Sequence, residues 1–263
     1  MRALLALTLA LVMLPAHAAF DWDTALNGPQ RAEQNKARDS ARHPRETLEF
    51  FGLKSGMTVV EVSPGGGWYT EILAPLMKGN GTYYAAQHGL NAPGSYGRNS
   101  LGKYLQKMAA DTDSYSDVVI TQLQPPSLLA IAPPGSADLV VAFRNVHSWL
   151  RSDALNDTLS AVHAALKNGG TFGVVQHRGK PGMSLEESKK KGYVAQAEVV
   201  KLIESAGFKL DATSEINANS KDTADHERGV WTLPPRLALD DVDRDKYVAI
   251  GESDRMTLKF IKQ

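Results

Sequence analysis

The feature that most constrains the fold of this chain is a β-branched run followed directly by glycines. The run is 58–62 (TVVEV), and the turn after it is 63–67 (SPGGG). A short run of this kind predicts a buried strand, whereas the turn fits neither a regular helix nor a sheet. The next segment, 68–78, has apolar residues at helical spacing, and Pro75 is expected to kink or end that helix early. Together, strand, turn and helix predict an α/β protein with a ligand site at the turn.

The rest of the chain continues this alternation of strands with helices or links of helix length. Ala137 to Phe143 is an almost continuous apolar run, which is typical of a central parallel strand buried on both faces. The alternation therefore favours a mainly parallel sheet covered by helices on both sides. Strands are predicted at 82–87, 118–123, 171–176, 208–215 and 256–261, helices at 101–110, 152–167 and 194–206, and a loop at 91–100.

The first eighteen residues have the pattern of a secretory signal peptide. Arg2 precedes an apolar run at 3–14, and Ala16-His17-Ala18 fits the small-x-small cleavage pattern. The run is shorter than the roughly 20 residues needed to span a bilayer, and an uncleaved anchor or interfacial helix is the alternative. We expect cleavage after residue 18, a periplasmic or secreted location, an N-terminal arm and helix over 19–57, and the main domain over 58–263.

Composition excludes several classes of site. The chain has no cysteine, so it has no disulfide, no thiolate nucleophile and no cysteine-based zinc site. Its 29 basic and 29 acidic residues balance, which argues against electrostatic binding of nucleic acid. No other segment is long and apolar enough to suggest a membrane span after signal cleavage.

The glycine turn carries the expected chemistry. Glycines let the backbone bend sharply and let a ligand approach it closely, and the helix that follows presents free N–H groups. The turn lacks the Gly-Lys-Ser/Thr ending of a phosphate loop, and its glycines do not have the spacing of the dinucleotide fingerprint. Neither of these two motifs therefore identifies the ligand of the turn.

Four segments in order resemble the class I S-adenosylmethionine-dependent methyltransferases, over roughly 58–215. Val59 to Thr70 (VVEVSPGGGWYT) resembles their first motif, an acid before a Gly-x-Gly turn. The strand 137–143 with Arg144 to Leu150 (RNVHSWL) resembles their fourth motif. Leu166 to Phe172 (LKNGGTF) and Val199 to Phe208 (VVKLIESAGF) resemble their later turn and helix end. Segments 38–44 and 251–255 also resemble the flanks of a group of exported bacterial predicted methyltransferases.

The resemblance implies a three-layer Rossmann-like α/β fold, with a mainly parallel seven-stranded sheet whose last strand is antiparallel. It implies S-adenosyl-L-methionine as cofactor, bound at Ser63 and at Gly65, Gly66 and Gly67, with Glu61 behind the turn. Gln87 and His88 end the second strand, where these families usually have an acid for the ribose hydroxyls. An amide such as Gln87 can replace that acid, although it is a weaker acceptor. For Glu61, a purely structural role in holding the turn is the alternative.

The catalytic candidates follow later strands. His147 and His177, with Arg144, are placed to meet a methyl acceptor, because a histidine near neutrality can take a proton from a hydroxyl or amine. A structural role for each histidine is the plainer alternative. Arg38 and Arg42 could fold over the site as a lid or form a surface salt-bridge cluster.

The sequence therefore predicts an exported S-adenosylmethionine-dependent methyltransferase that acts on an unidentified small-molecule or envelope-associated acceptor. The alternative is a degenerate methyltransferase-fold binding protein without catalysis, which the missing acid at Gln87 favours. A metal-dependent hydrolase is a third hypothesis, but no local ligand motif supports it. The spacing of Asp241, Asp243, Asp245 and Glu252 matches a calcium loop, yet Lys246 occupies its glycine position. We expect no metal site.

Overall fold

The computed structural model describes residues 19–263, so the predicted signal peptide lies outside the described residues. The strands are β1 (Thr58–Val62), β2 (Thr82–Gln87), β3 (Val118–Gln122), β4 (Ala137–Phe143), β5 (Leu166–Gly179), β6 (Val194–Ala195), β7 (Phe208–Ser214) and β8 (Arg255–Lys262). The helices are α1 (Trp22–Asn27), α2 (Glu33–Lys36), α3 (Asp39–Arg42), α4 (Pro44–Phe50), α5 (Thr70–Met77), α6 (Ser95–Ala110), α7 (Thr112–Tyr115), α8 (Val146–Arg151), α9 (Leu155–Ala165), α10 (Leu185–Lys191), α11 (Gln196–Glu204) and α12 (Arg244–Ile250). A 3₁₀ turn spans Gly229–Thr232.

One sheet runs through the molecule in the order β3-β2-β1-β4-β5-β8-β7. Strands β1 to β5 are parallel, and β8 is antiparallel to both of its neighbours. The predicted parallel sheet with an antiparallel last strand is therefore confirmed. The structure adds β6, a two-residue strand that pairs with the end of β5, where the sequence predicted the start of a helix. The length of β5 explains it, because β5 extends past its pairing with β4 and leaves a free edge.

The sheet separates two apolar cores, as a parallel sheet covered on both faces requires. On β1, Val60 faces the core that contains Val162 of α9, whereas Val59 faces the core that contains Ile72 of α5. All of these side chains are buried. No helix among residues 19–263 has both the length and the apolar character needed to cross a bilayer.

Four helices, α5, α6, α9 and α11, differ from their predicted extents, and α9 ends at Ala165 because Leu166 begins β5. Helix α6 begins at Ser95, inside the predicted loop, after Gly94 takes a φ of +82°. Helix α5 continues through Pro75 to Met77 instead of ending there. Proline cannot donate to the carbonyl four residues earlier, which belongs to Glu71. In this structure the Gln30 Nε2 atom donates to that carbonyl oxygen at 3.3 Å, and this bond explains how the helix tolerates proline.

The N-terminal segment 19–57 packs closely on the sheet domain. The buried carboxylate of Glu71 on α5 accepts hydrogen bonds from the Asn35 side chain at 2.9 and 3.0 Å and pairs with Lys107 of α6 at 2.5 Å. The Arg31 guanidinium is buried and pairs with Asp39. These polar contacts fix α1 to α3 beside the carboxyl edge of the sheet.

Candidate functional site

The candidate site lies at the carboxyl ends of β1 and β4. The strand order reverses between these two strands, and a crevice at such a switch point is where open α/β sheets bind ligands. The glycine turn leaves β1 on one side of the crevice, and Asn145 leaves β4 on the other. The Asn145 Nδ2 atom donates to the Val62 carbonyl oxygen at 3.1 Å, which ties the two strand ends together.

The turn itself exposes backbone to open space. Ser63, Gly65 and Gly67 all have positive φ, at +53°, +59° and +78°. A Cβ atom added at Gly65 or Gly66 would meet nothing within 4 Å, so a ligand can approach the backbone there. At Gly67 the added atom would lie 3.1 Å from the Tyr104 ring, because this glycine faces the protein interior.

Two cavities meet above the turn. One, which we call the β3-side cavity, has a volume of about 490 Å³ and lies near the ends of β2 and β3. The other, which we call the arginine cavity, has a volume of about 620 Å³ and lies beyond the ends of β4 and β5. Both are lined by Ser63, Gly65, Tyr96, Asn145, Ser148 and Arg151. The shared lining makes the pair one continuous groove across the switch point.

The β3-side cavity combines apolar walls with a few polar groups. His88 lines it, and burial lowers the pKa of this histidine, so its neutral form is favoured. Gln124 also lines it, and the Gln124 Oε1 atom is buried with no hydrogen-bond partner among residues 19–263. A buried acceptor without a donor is unfavourable, so a ligand N–H group would fit there.

Gln87 does not face either cavity. Its side chain is buried, and its Nε2 atom donates to the carbonyl oxygen of Gly65 at 2.8 Å. Glu61 is also buried away from the cavities and accepts hydrogen bonds from Tyr83 at 2.5 Å and Thr70 at 3.1 Å. Burial raises the pKa of Glu61 to about 7, against the opposing effect of those two hydroxyls. Gln87 therefore supports the turn directly, whereas Glu61 is hydrogen-bonded to β2 and α5 and not to the turn.

The arginine cavity is built around Glu252. This carboxylate accepts from the Nε atoms of Arg38 at 2.5 Å and Arg42 at 3.1 Å, and from Nη1 of Arg255 at 2.9 Å. Although burial raises the pKa of Glu252, the neighbouring arginines, first Arg42, lower it to about 2. The carboxylate is therefore ionised at neutral pH, and three cations share it.

Arg144 lies in the same cavity without such a partner. It follows β4 with a φ of +63°, and its backbone N–H donates to the Val175 carbonyl oxygen at 2.6 Å. Its guanidinium has no hydrogen bond or ion pair among residues 19–263. Burial, and then Arg255, lower the pKa of Arg144 to about 10, which still leaves it charged at neutral pH.

Hydrogen bonding assigns the proton of His147. The Gln176 Nε2 atom donates to the Gly192 carbonyl oxygen at 3.0 Å and also lies 3.3 Å from His147 Nδ1. Reversing the amide would place its oxygen against that carbonyl, so the nitrogen is correctly positioned and Nδ1 of His147 accepts. Burial lowers the pKa of His147 to about 4, so the neutral ring carries its proton on Nε2. His147 is thus a hydrogen-bond donor toward the cavity, not a proton acceptor.

His177 has the opposite capacity. Its Nδ1 atom lies 2.6 Å from the Ser253 Oγ atom, while its Nε2 atom makes no hydrogen bond within the described residues. Burial, and then His147, lower the pKa of His177 well below its ordinary value. The ring is therefore neutral at physiological pH, and when Nδ1 donates to Ser253 the free Nε2 atom can accept a hydrogen bond.

The structure brings most of the predicted site residues to the groove. Those that line a cavity are Ser63, Gly65, Gly66, His88, Arg144, His147 and His177. Gly67 ends the turn and faces the interior, Glu61 and Gln87 are buried, and none of the three lines either cavity. Sequence reasoning missed Gln124, Asn145, Arg151, Arg236 and Glu252 as lining residues. Asn145 and Glu252 do lie in segments that resemble methyltransferases, but the pattern does not show that their side chains reach the groove. Arg38 and Arg42 do border the groove, and they pair with Glu252 there.

The calcium-loop spacing does not form an ion site. Asp241, Asp243 and Asp245 border a shallow surface pocket together with Lys246, whereas the carboxylate of Glu252 is bound by arginines. Within residues 19–263, no three histidine or acidic side chains are close enough to hold a metal ion.

No family model and no curated protein sequence matches this chain. Solved structures do. A S-adenosylmethionine-dependent methyltransferase from Aquifex aeolicus matches with a TM-score of 0.58 and 17% identity, over 86% of this chain and 93% of the other. The fold is that of the S-adenosylmethionine-dependent methyltransferases. At this identity the likeness shows the methyltransferase fold alone.

Two further structures with the methyltransferase fold differ in what they do. The geranyl diphosphate C-methyltransferase of Streptomyces coelicolor, solved with S-adenosylhomocysteine, has a TM-score of 0.57 and 12% identity, over 91% of this chain and 88% of the other. The [4+2]-cyclase SpnF has a TM-score of 0.58 and 15% identity, over 90% and 84%. The methyltransferase fold therefore includes a protein named for a reaction other than methyl transfer.

Proposed function

We propose that this protein is an S-adenosylmethionine-dependent methyltransferase. The observation that carries the proposal is the continuous groove of two cavities over the bare backbone of Gly65 and Gly66, at the switch point of the sheet. One cavity can hold an adenosyl group while the other holds an acceptor, and the turn between them lies at the point where the two would meet.

The β3-side cavity suits the adenosyl group. Its apolar walls can cover an adenine ring, and the unpartnered Gln124 Oε1 atom can accept from the adenine amine. Asn145 and Ser148 reach both cavities and can hold the part of the cofactor that crosses between them. When bound, S-adenosylmethionine supplies an electrophilic methyl group and leaves as S-adenosylhomocysteine.

The arginine cavity suits the acceptor. His177 can accept a hydrogen bond from an acceptor hydroxyl or amine through its free Nε2 atom, whereas its lowered pKa makes the ring a weak base. His147 donates from Nε2 and can orient an acceptor oxygen. The two rings lie 5.5 Å apart between centroids, so both can contact one small molecule.

Calorimetry with S-adenosylhomocysteine tests the proposal. Gly66→Leu places a side chain in the arginine cavity beside the turn, where an added Cβ meets no atom, and should weaken binding by blocking the part of the ligand that crosses from the β3-side cavity. Gly102→Leu is the matched control, because an added Cβ there also meets nothing and Gly102 lines neither cavity. Absence of binding by the unaltered chain at millimolar ligand, or equal binding by Gly66→Leu, would contradict the proposal.

A binding protein without catalysis is the second candidate function. Gln87 favours it, since the residue at the position of the usual ribose-binding acid is buried and engaged with Gly65. Incubating the chain and radiolabelled S-adenosylmethionine with candidate acceptors distinguishes the two. Cofactor binding without any release of S-adenosylhomocysteine supports the second candidate.

We also propose that the protein is exported and acts outside the cytosol on a small-molecule or envelope-associated acceptor, like the exported bacterial group that its flanking segments resemble. The support is the signal-like pattern of residues 1–18 and the absence of cysteine. N-terminal sequencing of protein from the periplasm or medium should begin at Ala19. A full-length chain retained in the cytosol would contradict export.

A further inference from the structure

The arginine cavity has a strong excess of positive charge. Five arginines line it, and Glu252 is the one carboxylate among the described residues that do so, which leaves an excess of four positive charges. The balanced charge of the whole chain gives no hint of this local excess. The lining arginines are Arg38, Arg42, Arg144, Arg151 and Arg236.

Glu252 cannot neutralise this excess. Its two oxygens already accept from Arg38, Arg42 and Arg255, and Arg255 is a further cation that does not itself line the cavity. The Arg38 Nη2 atom remains buried with no partner among residues 19–263. A buried donor of this kind is unfavourable unless a ligand oxygen accepts from it.

Arg144 is the most informative of these cations. It lies at the end of β4, it has no ion-pair partner within the described chain, and Arg42 and Arg255 are among its charged neighbours. Glu252 is its acidic neighbour, but three other arginines already share that carboxylate, so an entering anion would stabilise the guanidinium further. Its planar donors match two oxygens of a carboxylate or phosphate.

The cofactor does not supply enough negative charge. S-adenosylmethionine carries one carboxylate, which a single guanidinium can bind in bidentate fashion. Its ammonium and sulfonium groups are both positive, so its binding adds to the local positive charge. The excess of four positive charges therefore favours a second anion on the acceptor side of the groove.

We propose that the acceptor is a small molecule that carries a carboxylate or phosphate group, bound between Arg144 and the Arg38–Arg42 pair. This inference rests on the proposed function, because it assigns the arginine cavity to the acceptor. Arg151, which lies 5.7 Å from the Trp231 ring centroid at the mouth of the cavity, provides a second contact for the anion. The reacting nucleophile then faces His147 and His177 beside the glycine turn.

Calorimetry with benzoate, benzamide and inorganic phosphate tests the inference, with and without saturating S-adenosylhomocysteine. The homocysteine carboxylate fills the cofactor's own site, so further anion binding reports the acceptor side. Benzamide has the shape of benzoate without its charge and should bind at least about tenfold more weakly. Relative to the unaltered chain, Arg144→Gln should weaken the binding of benzoate and of phosphate by a factor of about ten or more. Arg144→Lys should weaken it by less.

Two further variants keep the test decisive if Arg144 variants fail to fold. Arg151→Gln changes an exposed side chain and should weaken anion binding severalfold. Arg45→Gln removes the same charge from α4, outside both cavities, and should leave anion binding unchanged. The inference is overturned if benzoate and benzamide bind equally well. It is also overturned if the Arg144 and Arg151 variants bind anions as tightly as the unaltered chain does, even when S-adenosylhomocysteine binds. Failure of S-adenosylhomocysteine alone to bind contradicts the proposed function, whereas anion binding that depends on Arg144 would still support the anion site.

Discussion

The side chain of Gln87 hydrogen-bonds the backbone of Gly65, with 2.8 Å between Nε2 and the carbonyl oxygen. The end of β2 is thereby coupled to the turn that follows β1. Gln87→Glu should destabilise the fold by about 1–3 kcal/mol, because the Gly65 carbonyl oxygen would lose its hydrogen-bond donor and would face a carboxylate instead. The same substitution should weaken, and not tighten, the binding of S-adenosylhomocysteine. Thermal unfolding and calorimetry measure both effects.

The control for that substitution lies on the next strand. Gln122 uses its Oε1 atom to accept from the Leu90 backbone N–H at 2.8 Å, so Gln122→Glu preserves the acceptor and should leave stability nearly unchanged. Tighter cofactor binding by Gln87→Glu would show that residue 87 faces the ribose and would contradict the structure.

Glu61 should make stability fall as pH rises. Its pKa is raised from 4.5 to about 7, so between these values the folded state holds a proton that the unfolded chain has released. The contribution is fully present below pH 4.5 and is lost as pH rises through 7, by on the order of 3 kcal/mol. Glu61→Gln stays neutral and should lack this loss in urea denaturation across the same pH range.

The exposed residue Glu227 provides the control. Glu227→Gln should keep the pH dependence of the unaltered chain, since its carboxylate makes no ion pair among the described residues. If Glu61→Gln also kept that dependence, Glu61 would already be ionised in the folded protein.

The two groove histidines should both be neutral at pH 6, and Gln176 should fix the tautomer of His147. His147, whose pKa burial lowers to about 4, should be protonated on Nε2 because Gln176 donates to its Nδ1 atom. Long-range ¹H–¹⁵N NMR spectra distinguish the two ring nitrogens. Gln176→Glu should move the proton of His147 to Nδ1 and raise its pKa, since a carboxylate accepts instead of donating.

A protonated His147 ring at pH 6, or a proton already on Nδ1 in the unaltered chain, would contradict the assigned hydrogen bonds. His163 serves as an internal reference, because it lies on α9 away from the groove and should show no change of tautomer in Gln176→Glu.

Gln30 should contribute to stability through α5. Its Nε2 atom lies 3.1 Å from the carbonyl oxygens of Thr24 and Ala25 and 3.3 Å from the carbonyl oxygen of Glu71. Pro75 has no N–H group to donate to that last oxygen. Gln30→Ala should lower the free energy of unfolding by about 1–3 kcal/mol, because a partly buried acceptor loses its donor. Chemical denaturation measures this, and the exposed Gln34→Ala is its control. An equal effect of both variants would show that the segment 19–57 is not held through this bond.

The local pattern of the sequence predicted the sheet and the glycine turn, because β-branched runs and glycines act through their immediate neighbours. Strand β4 matched its apolar run at both ends. The start of α6 was missed because Gly94 begins the helix by a backbone conformation that residue type alone does not fix. The orientation of Gln87 was also missed, since the register of β2 against β1 decides which side of the sheet edge its amide reaches.

The charge of the site depends on contacts that are distant in sequence. Arg38 and Glu252 form an ion pair across 214 positions, and Arg144 joins them from the end of β4. No spacing rule connects these residues. The sequence therefore indicated where a cofactor could bind, but the character of the acceptor cavity emerged only from the folded chain.

The antiparallel position of β8 has a consequence for biosynthesis. Because β8 inserts between β5 and β7, the segment that carries Glu252 and Arg255 reaches the sheet only after both flanking strands have been translated. A nascent chain that ends at Ile250 already holds Arg38, Arg42 and Arg144 but lacks the carboxylate that organises them. Until that segment docks on the sheet, the arginines that surround Glu252 in the folded protein lack the carboxylate that pairs with them.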